Sequence, residues 1–307
     1  MRGLFKFIVF FIILGGLSSG ILIKVKSNNS TYLLNGQEEI LKEEILKEEV
    51  LKEEQIIKEE EIEADKVKAE IEEKEKEYVK ISPEEVYIPI LMYHSISEEE
   101  STNSLIVPKY QFEEQMSWLK EEGFTTMLMA DVMEALKTGQ VPKRPVAITF
   151  DDGYTDNYTN SYKVLTDNNM KATFFIITDN TDVDSFYMNS DMLKELANNG
   201  MGIENHTSKH LELNRLSRED KVSIIKEGKD FLKENIGVDS KYLCYPVGRY
   251  DSETIEVAKD LGIEGAVTTE GGFSNITNGE LELKRVRIAP MEIEDFKAIF
   301  ESFMGEI

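Results

Sequence analysis

Cysteine is nearly absent from this 307-residue chain: Cys244 is the only one, so no intramolecular disulfide can form, and none lies near the N-terminus to carry a lipid. Histidine is almost as scarce, with three residues in all. Positive charge is also in short supply. Only 35 basic residues stand against 59 acidic ones, and a formal charge of -24 excludes binding to the phosphate backbone of nucleic acid and makes any polyanion a poor partner. What is present is a 41% share of hydrophobic residues, enough for one full-sized core with roughly eighty residues to spare.

The spare residues lie at the front. Arg2 and Lys6 precede an apolar run over 7–17, and apolar character resumes over 21–23 before Lys24 and Lys26, so residues 1–26 read as an export signal. Ser18-Ser19-Gly20 would serve a cleaved signal peptide. Residues 4–23 equally meet the ~20 mainly apolar residues of a signal-anchor helix, with a terminal lysine free to snorkel, and the anchor is the reading we favour. Either way the rest of the chain is expected outside the cytoplasm, on the extracellular face of the membrane or secreted. Residues 27–82 form a charged spacer that repeats EEILK, EEILK, EEVLK, with Glu38, Glu43 and Glu48 each four residues before a lysine, the favourable order for helical ion pairs. Its apolar residues (Ile40, Ile45, Val50) recur every five positions, and five steps of about 100° leave each one about 140° further round the helix. The apolar stripe therefore spirals. A solvated helical stalk is expected, with coiled-coil association the lesser alternative.

Residues 83–307 have a different texture. Seven short apolar stretches, 88–96, 146–152, 172–177, 202–207, 242–248, 265–269 and 285–288, read as buried strands. Most connections carry helical periodicity, as in Phe112, Met116 and Leu119, or Val222, Ile225 and Phe231. Alternating strand and helix means a parallel sheet or barrel, and such folds gather their chemistry where strands end. Those ends hold Tyr93-His94, Asp151-Asp152, Glu204 to His206, and Tyr245 to Gly248.

Asp151 and Asp152 close an apolar strand just before Gly153. Adjacent carboxylates on a strand face opposite ways, but in a turn both can face one cavity, one as metal ligand and the other as base; alternatively the pair only shapes the turn. His206 and His210 are four apart, a spacing that on a helical turn puts both on one face, close enough to hold one metal. Two neutral imidazoles and a carboxylate suit Zn²⁺ or a similar divalent ion (Co, Ni or Mn) and leave positions open for water and substrate.

The ordered motifs TFDDGY (149–154), HTSKH (206–210) and YPVGRYD (245–251) resemble those of the polysaccharide deacetylases with the NodB homology domain, carbohydrate esterase family 4. The opening IPILMYHSI (88–96) is similar to the branch that acts on poly-N-acetylglucosamine. The resemblance covers about residues 86–290. It implies an α/β fold, a distorted (β/α)7 barrel of the NodB type, here preceded by the membrane anchor and charged helical stalk, with a bound divalent metal and an N-acetylated polysaccharide as substrate. It further implies Asp151 as the catalytic base, Asp152, His206 and His210 as the metal ligands, and the Tyr245 backbone N–H as a donor to the oxyanion. An amine leaves only when protonated, so a general acid is needed. Many relatives draw it from a histidine late in the domain, but none follows His210 here. His94 resembles the corresponding residue of the adhesin-deacetylase branch and is assigned that role.

A second departure is Leu243-Cys244 before Tyr245, where many relatives have an arginine that braces the base; Arg287, or less readily Arg249, is expected to replace it. Cys244 reads as a buried strand residue, because no histidine is left to activate it as a nucleophile. Trp118 reads as packing, Tyr154 and Tyr250 as core or groove lining, and 292–304 as an amphipathic closing helix. Two other readings stay open: deacetylation of peptidoglycan, chitin oligosaccharide or acetylxylan by the same centre, and a non-catalytic surface glycan-binding protein.

Overall fold

The computed structural model describes residues 78–98 and 102–304. The expected anchor, and the spacer up to residue 77, lie outside the described residues. The end of the expected spacer belongs to the folded body instead: Tyr78–Lys80 is a strand paired antiparallel with Gln140–Pro142. Among the described residues no helix is long and apolar enough to cross a membrane.

Seven strands form the framework: β1 (Ile90–Tyr93), β2 (Pro145–Phe150), β3 (Thr173–Ile176), β4 (Gly202–Asn205), β5 (Tyr242–Cys244), β6 (Gly265–Gly271) and β7 (Leu283–Arg287). All pair in parallel in chain order, and β7 closes on β1 through Val286–Leu91 and Arg287–Met92. The result is a parallel seven-stranded barrel with helices around it, the NodB type of (β/α)7 fold, and each of the seven apolar stretches read from the sequence contributes one strand. Every residue of β1, β2, β3 and β5 is buried, which is why these strands read as unbroken apolar runs and not as alternating ones.

Strand β2 has a further neighbour. Met127, in the short strand Thr125–Met127, pairs with Ala147 in the lower half of β2, while β3 pairs only with Thr149 and Phe150 above it. Beneath the barrel, Gly265 at the start of β6 has no room for a side chain: a Cβ there would come within 2.9 Å of Met133 Sδ in helix α2 (Met129–Thr138). Outside, Phe112, Met116 and Leu119 of helix α1 (Lys109–Glu121) share one core with Leu91, Ile148, Phe150 and Phe174. Trp118 packs on Phe124, Phe296 and Phe300 with ring centroids 5.5–5.9 Å apart, in line with the packing expected of it. The single closing helix expected over 292–304 is two short ones, Ile293–Ala298 and Glu301–Met304, separated at Ile299 and Phe300, and Phe296 and Phe300 both pack on Trp118.

Candidate active site

The C-terminal ends of the strands form the mouth of the barrel, and Asp151 and Asp152 leave β2 there. Asp152 adopts φ 74° and Gly153 φ 79°, so the chain reverses immediately, and both carboxylates come within 4.8 Å of His206. A positive φ is costly for aspartate. Gly153 cannot be replaced cheaply, because a Cβ in that conformation would also meet Ile176 Cδ1 at 3.1 Å.

Asp151 is paired with an arginine. Arg285 of β7, itself buried, donates from two guanidinium nitrogens to the two carboxylate oxygens at 2.8 and 2.7 Å. The guanidinium also donates to Thr149 Oγ1 (3.1 Å) and the Thr268 carbonyl (2.9 Å) and lies 3.3 Å from Cys244 Sγ. Burial by itself would raise the Asp151 carboxyl, but the Arg285 charge and hydrogen bonds override it and hold it well below the usual carboxylate range. The brace expected of Arg287 or Arg249 is therefore supplied by Arg285. Residues 285 and 287 share a face of β7, and only the deeper one is buried; Arg287 stands exposed at the rim. Cys244, buried beside this pair, has its thiol pushed up by burial, which fits a packing residue and not a nucleophile.

Asp152 is the opposite case. Its Oδ1 is buried and accepts no hydrogen bond, yet it lies 3.4 Å from His206 Nε2 and 3.5 Å from His210 Nε2. Donors about 2.1 Å from a tetrahedral ion sit about 3.4 Å from one another, which is the spacing of Asp152 Oδ1 from each imidazole, and all three atoms lie within 4.8 Å of one another. His206 is prepared for this, since its Nδ1 lies 2.8 Å from the Cys244 carbonyl and, as the N–H, leaves Nε2 free to ligate. Burial opposes a charge on His206, but Cys244, Asp152 and Asp151 outweigh it and raise the imidazole; such a site holds a proton or another cation. The residues therefore fit a divalent ion. A second cluster, Asp151, His206 and Cys244, also has ligand-like spacing, but the Arg285 guanidinium already occupies its anionic side.

The two histidines converge without the helical turn that their spacing suggested. Residues 206–210 are irregular, with Thr207 at φ 67° and His210 at φ 52°. The loop is fastened by Thr207 N–H to Asn205 Oδ1 (2.8 Å), His210 N–H to Thr207 Oγ1 (3.0 Å) and Ser208 N–H to the Ile224 carbonyl (2.9 Å). Ile224 belongs to helix α3 (Arg218–Phe231), whose Gly228 lets that helix come this close: a Cβ there would meet Asn205 Oδ1 at 2.3 Å.

His94 follows β1, and its Nε2 lies 3.9 Å from Asp151 Oδ2. Burial lowers its pKa, and the Asp151 and Asp152 charges pull the other way. Its backbone is gripped by a segment that the sequence reading passed over. Asn157 Nδ2 donates to the His94 carbonyl (2.6 Å), Ser95 Oγ donates to Asp156, and Asn160 Nδ2 donates to the Ile96 carbonyl (2.7 Å). Residues 157–161 form a π-helical turn, which presents Asn157 and Asn160 to the same strand end. Tyr245 calls for a revision. Its N–H donates to the Val267 carbonyl over 3.3 Å, so an oxyanion would have to draw that amide out of the barrel wall.

The five residues His94, Asp151, Asp152, His206 and His210 thus meet at one mouth, and comparison with known proteins shows what the chain as a whole is similar to. Residues 138–266 match the family model described as polysaccharide deacetylase. The protein YxkH of Bacillus subtilis (strain 168), itself named for that family, is 41% identical over 217 residues, which cover 70% of this chain and 76% of the relative. Poly-beta-1,6-N-acetyl-D-glucosamine N-deacetylase of Staphylococcus aureus is 27% identical over 64% of this chain and 72% of its own length. The structure of Streptococcus pyogenes deacetylase PplD in complex with acetate superimposes with a TM-score of 0.68 at 32% identity, over 70% of this chain and 99% of that one.

Proposed function

This chain belongs to the polysaccharide deacetylase family, and we propose that it is a metal-dependent hydrolase that removes N-acetyl groups from a poly-N-acetylglucosamine-like surface glycan, working outside the cytoplasm. The observation that carries the reading is the unsatisfied Asp152 Oδ1 between two imidazole nitrogens, one residue from a carboxylate fixed by an arginine. The substrate class is supported by the N-deacetylase relative of Staphylococcus aureus. Asp152, His206 and His210 would hold one divalent ion, with zinc first among zinc, cobalt, nickel and manganese. When bound, such an ion supplies the Lewis acidity that an unreactive acetamide needs.

The side chains then have separate tasks. Asp151 takes a proton from the attacking water. Arg285 holds its carboxylate at a fixed angle, so no reorientation is required as the proton moves. The C–N bond of the amide breaks, and His94 gives a proton to the departing amine, so that one water yields acetate and a free amino sugar. The Tyr245 amide can meet the developing negative charge only by exchanging its long bond to Val267.

The test is acetate release by the full chain from poly-N-acetylglucosamine, peptidoglycan and acetylxylan, each with and without a chelator. Chelator-sensitive release, greatest on poly-N-acetylglucosamine, is expected. Greater release from another polymer would overturn the substrate, and release that survives full metal removal would overturn the metal role.

A further inference from the structure

The turn that carries Asp152 continues into an aromatic ledge. Tyr154, Phe186 and Tyr187 contact one another, with ring centroids 5.1, 5.4 and 5.5 Å apart. The segment bearing Phe186 is stitched to the turn by Thr155 N–H to the Phe186 carbonyl (2.9 Å), Met188 N–H to the Gly153 carbonyl (2.9 Å) and Thr155 Oγ to the Ser185 carbonyl (2.8 Å). Ledge and Asp152 therefore form one rigid piece. Yet Phe186 is 61% exposed and the nearby Val183 79% exposed. Large apolar side chains left open on a well-braced loop mark a place that something else covers. Beside the ledge is a cavity of about 430 Å³ lined by Thr155, Val183, Tyr187 and Met192 together with Asp182 and Asp184. Both acids are engaged in holding the loop, Asp182 by Ser190 and Asp184 by the Phe186 N–H. Ser185 and Asn189 complete the lining, so ring faces that suit the C–H face of a pyranose stand beside polar groups that suit its hydroxyls.

We propose that Phe186 and Tyr187, backed by Tyr154, form a subsite that stacks on the sugar next to the one whose acetamide enters the mouth, so that the enzyme selects chains of several sugars over single units. This rests on the glycan-deacetylase reading above. Phe186 is a specificity residue here, since it contacts a neighbouring sugar and none of the reacting atoms.

The experiment compares acetate release by the full chain, metal-loaded, from the methyl glycoside of N-acetylglucosamine, a single sugar, and from the β-1,6-linked pentamer. In the wild type the pentamer should have the lower KM. Phe186→Ala should raise the pentamer KM by about five- to tenfold, leave the single-sugar kcat/KM unchanged, and weaken pentamer binding by the same factor in calorimetry, with Phe186→Trp restoring both. Equal effects on the single sugar and the pentamer, or none on either, would overturn the subsite while acetate release still upheld the deacetylase reading. No acetate from the pentamer with wild-type protein would instead overturn that reading, and the subsite with it.

Discussion

Asp151 and Asp152 are neighbours in the chain and opposites in setting. Around Asp151, a buried arginine donates to both carboxylate oxygens and is itself held by a threonine hydroxyl and a backbone carbonyl, and the backbone has no positive φ. Around Asp152, a buried oxygen has no hydrogen bond and three residues hold positive φ values; His210 is 31% exposed at its side chain against 2% for His206. A polar group left unsatisfied in a buried place costs stability, and backbone strain costs more. The fold tolerates both on one side of the mouth and neither on the other. The difference teaches which side is arranged for an outside ligand and which for the protein itself.

The largest expected effect breaks the ligand side. Asp152→Asn should weaken metal binding by at least about a hundredfold and cut acetate release by about a thousandfold, because the Lewis-acid contribution is worth several kcal/mol. Metal-free protein should lose no more than about 1 kcal/mol of stability, since Oδ1 accepts no hydrogen bond there. Metal titration and denaturation of the same sample check both halves. A stability loss matching that of the arginine variant below would erase the contrast.

The arginine side should respond in the reverse order. Arg285→Met leaves a buried carboxylate without its partner and should cost about 3–5 kcal/mol of unfolding free energy, much of it recovered by adding Asp151→Asn. The sign with pH follows from the depressed Asp151 carboxyl. A group whose folded pKa lies below its unfolded one stabilises fully above the ordinary carboxylate range, near 3.9, and loses that contribution as pH falls through the folded value. Denaturation midpoints followed from neutral pH into acid should therefore show a Asp151-dependent decline in the wild type that the double variant lacks.

The same contrast governs what could be read from residues alone. The seven barrel strands were legible because both their faces are buried and their apolar runs are continuous. The three-residue strands Ser95–Ser97, Ile106–Pro108 and Thr125–Met127 were not, being too short to show any period. Histidine spacing singled out a pair that does converge, but for a reason that does not hold. The convergence comes from left-handed conformations at Thr207 and His210, which no propensity announces for a β-branched residue. Arg285 was missed because alternation puts residues 285 and 287 on one face, and only depth in the barrel separates them. Asn157 was missed because its partner is a backbone carbonyl 63 positions earlier.

Asn157 gives the smallest and sharpest test, because it lies on neither side of the contrast and holds the His94 carbonyl. With the His94 carbonyl released, Asn157→Ala should leave metal affinity and the Asp151-dependent acid decline unchanged and lower kcat by about tenfold, as expected for a misplaced proton donor. A general acid works only while protonated, so the rate should fall as pH rises through the His94 pKa, and burial holds that pKa below its ordinary value. Water admitted beside the loosened loop would relieve that burial, so the alkaline limb in Asn157→Ala should move to higher pH, while His94→Gln should remove the limb. A limb that stays in place in both variants would assign the proton to another group and leave His94 as a packing residue at the edge of the carboxylate pair.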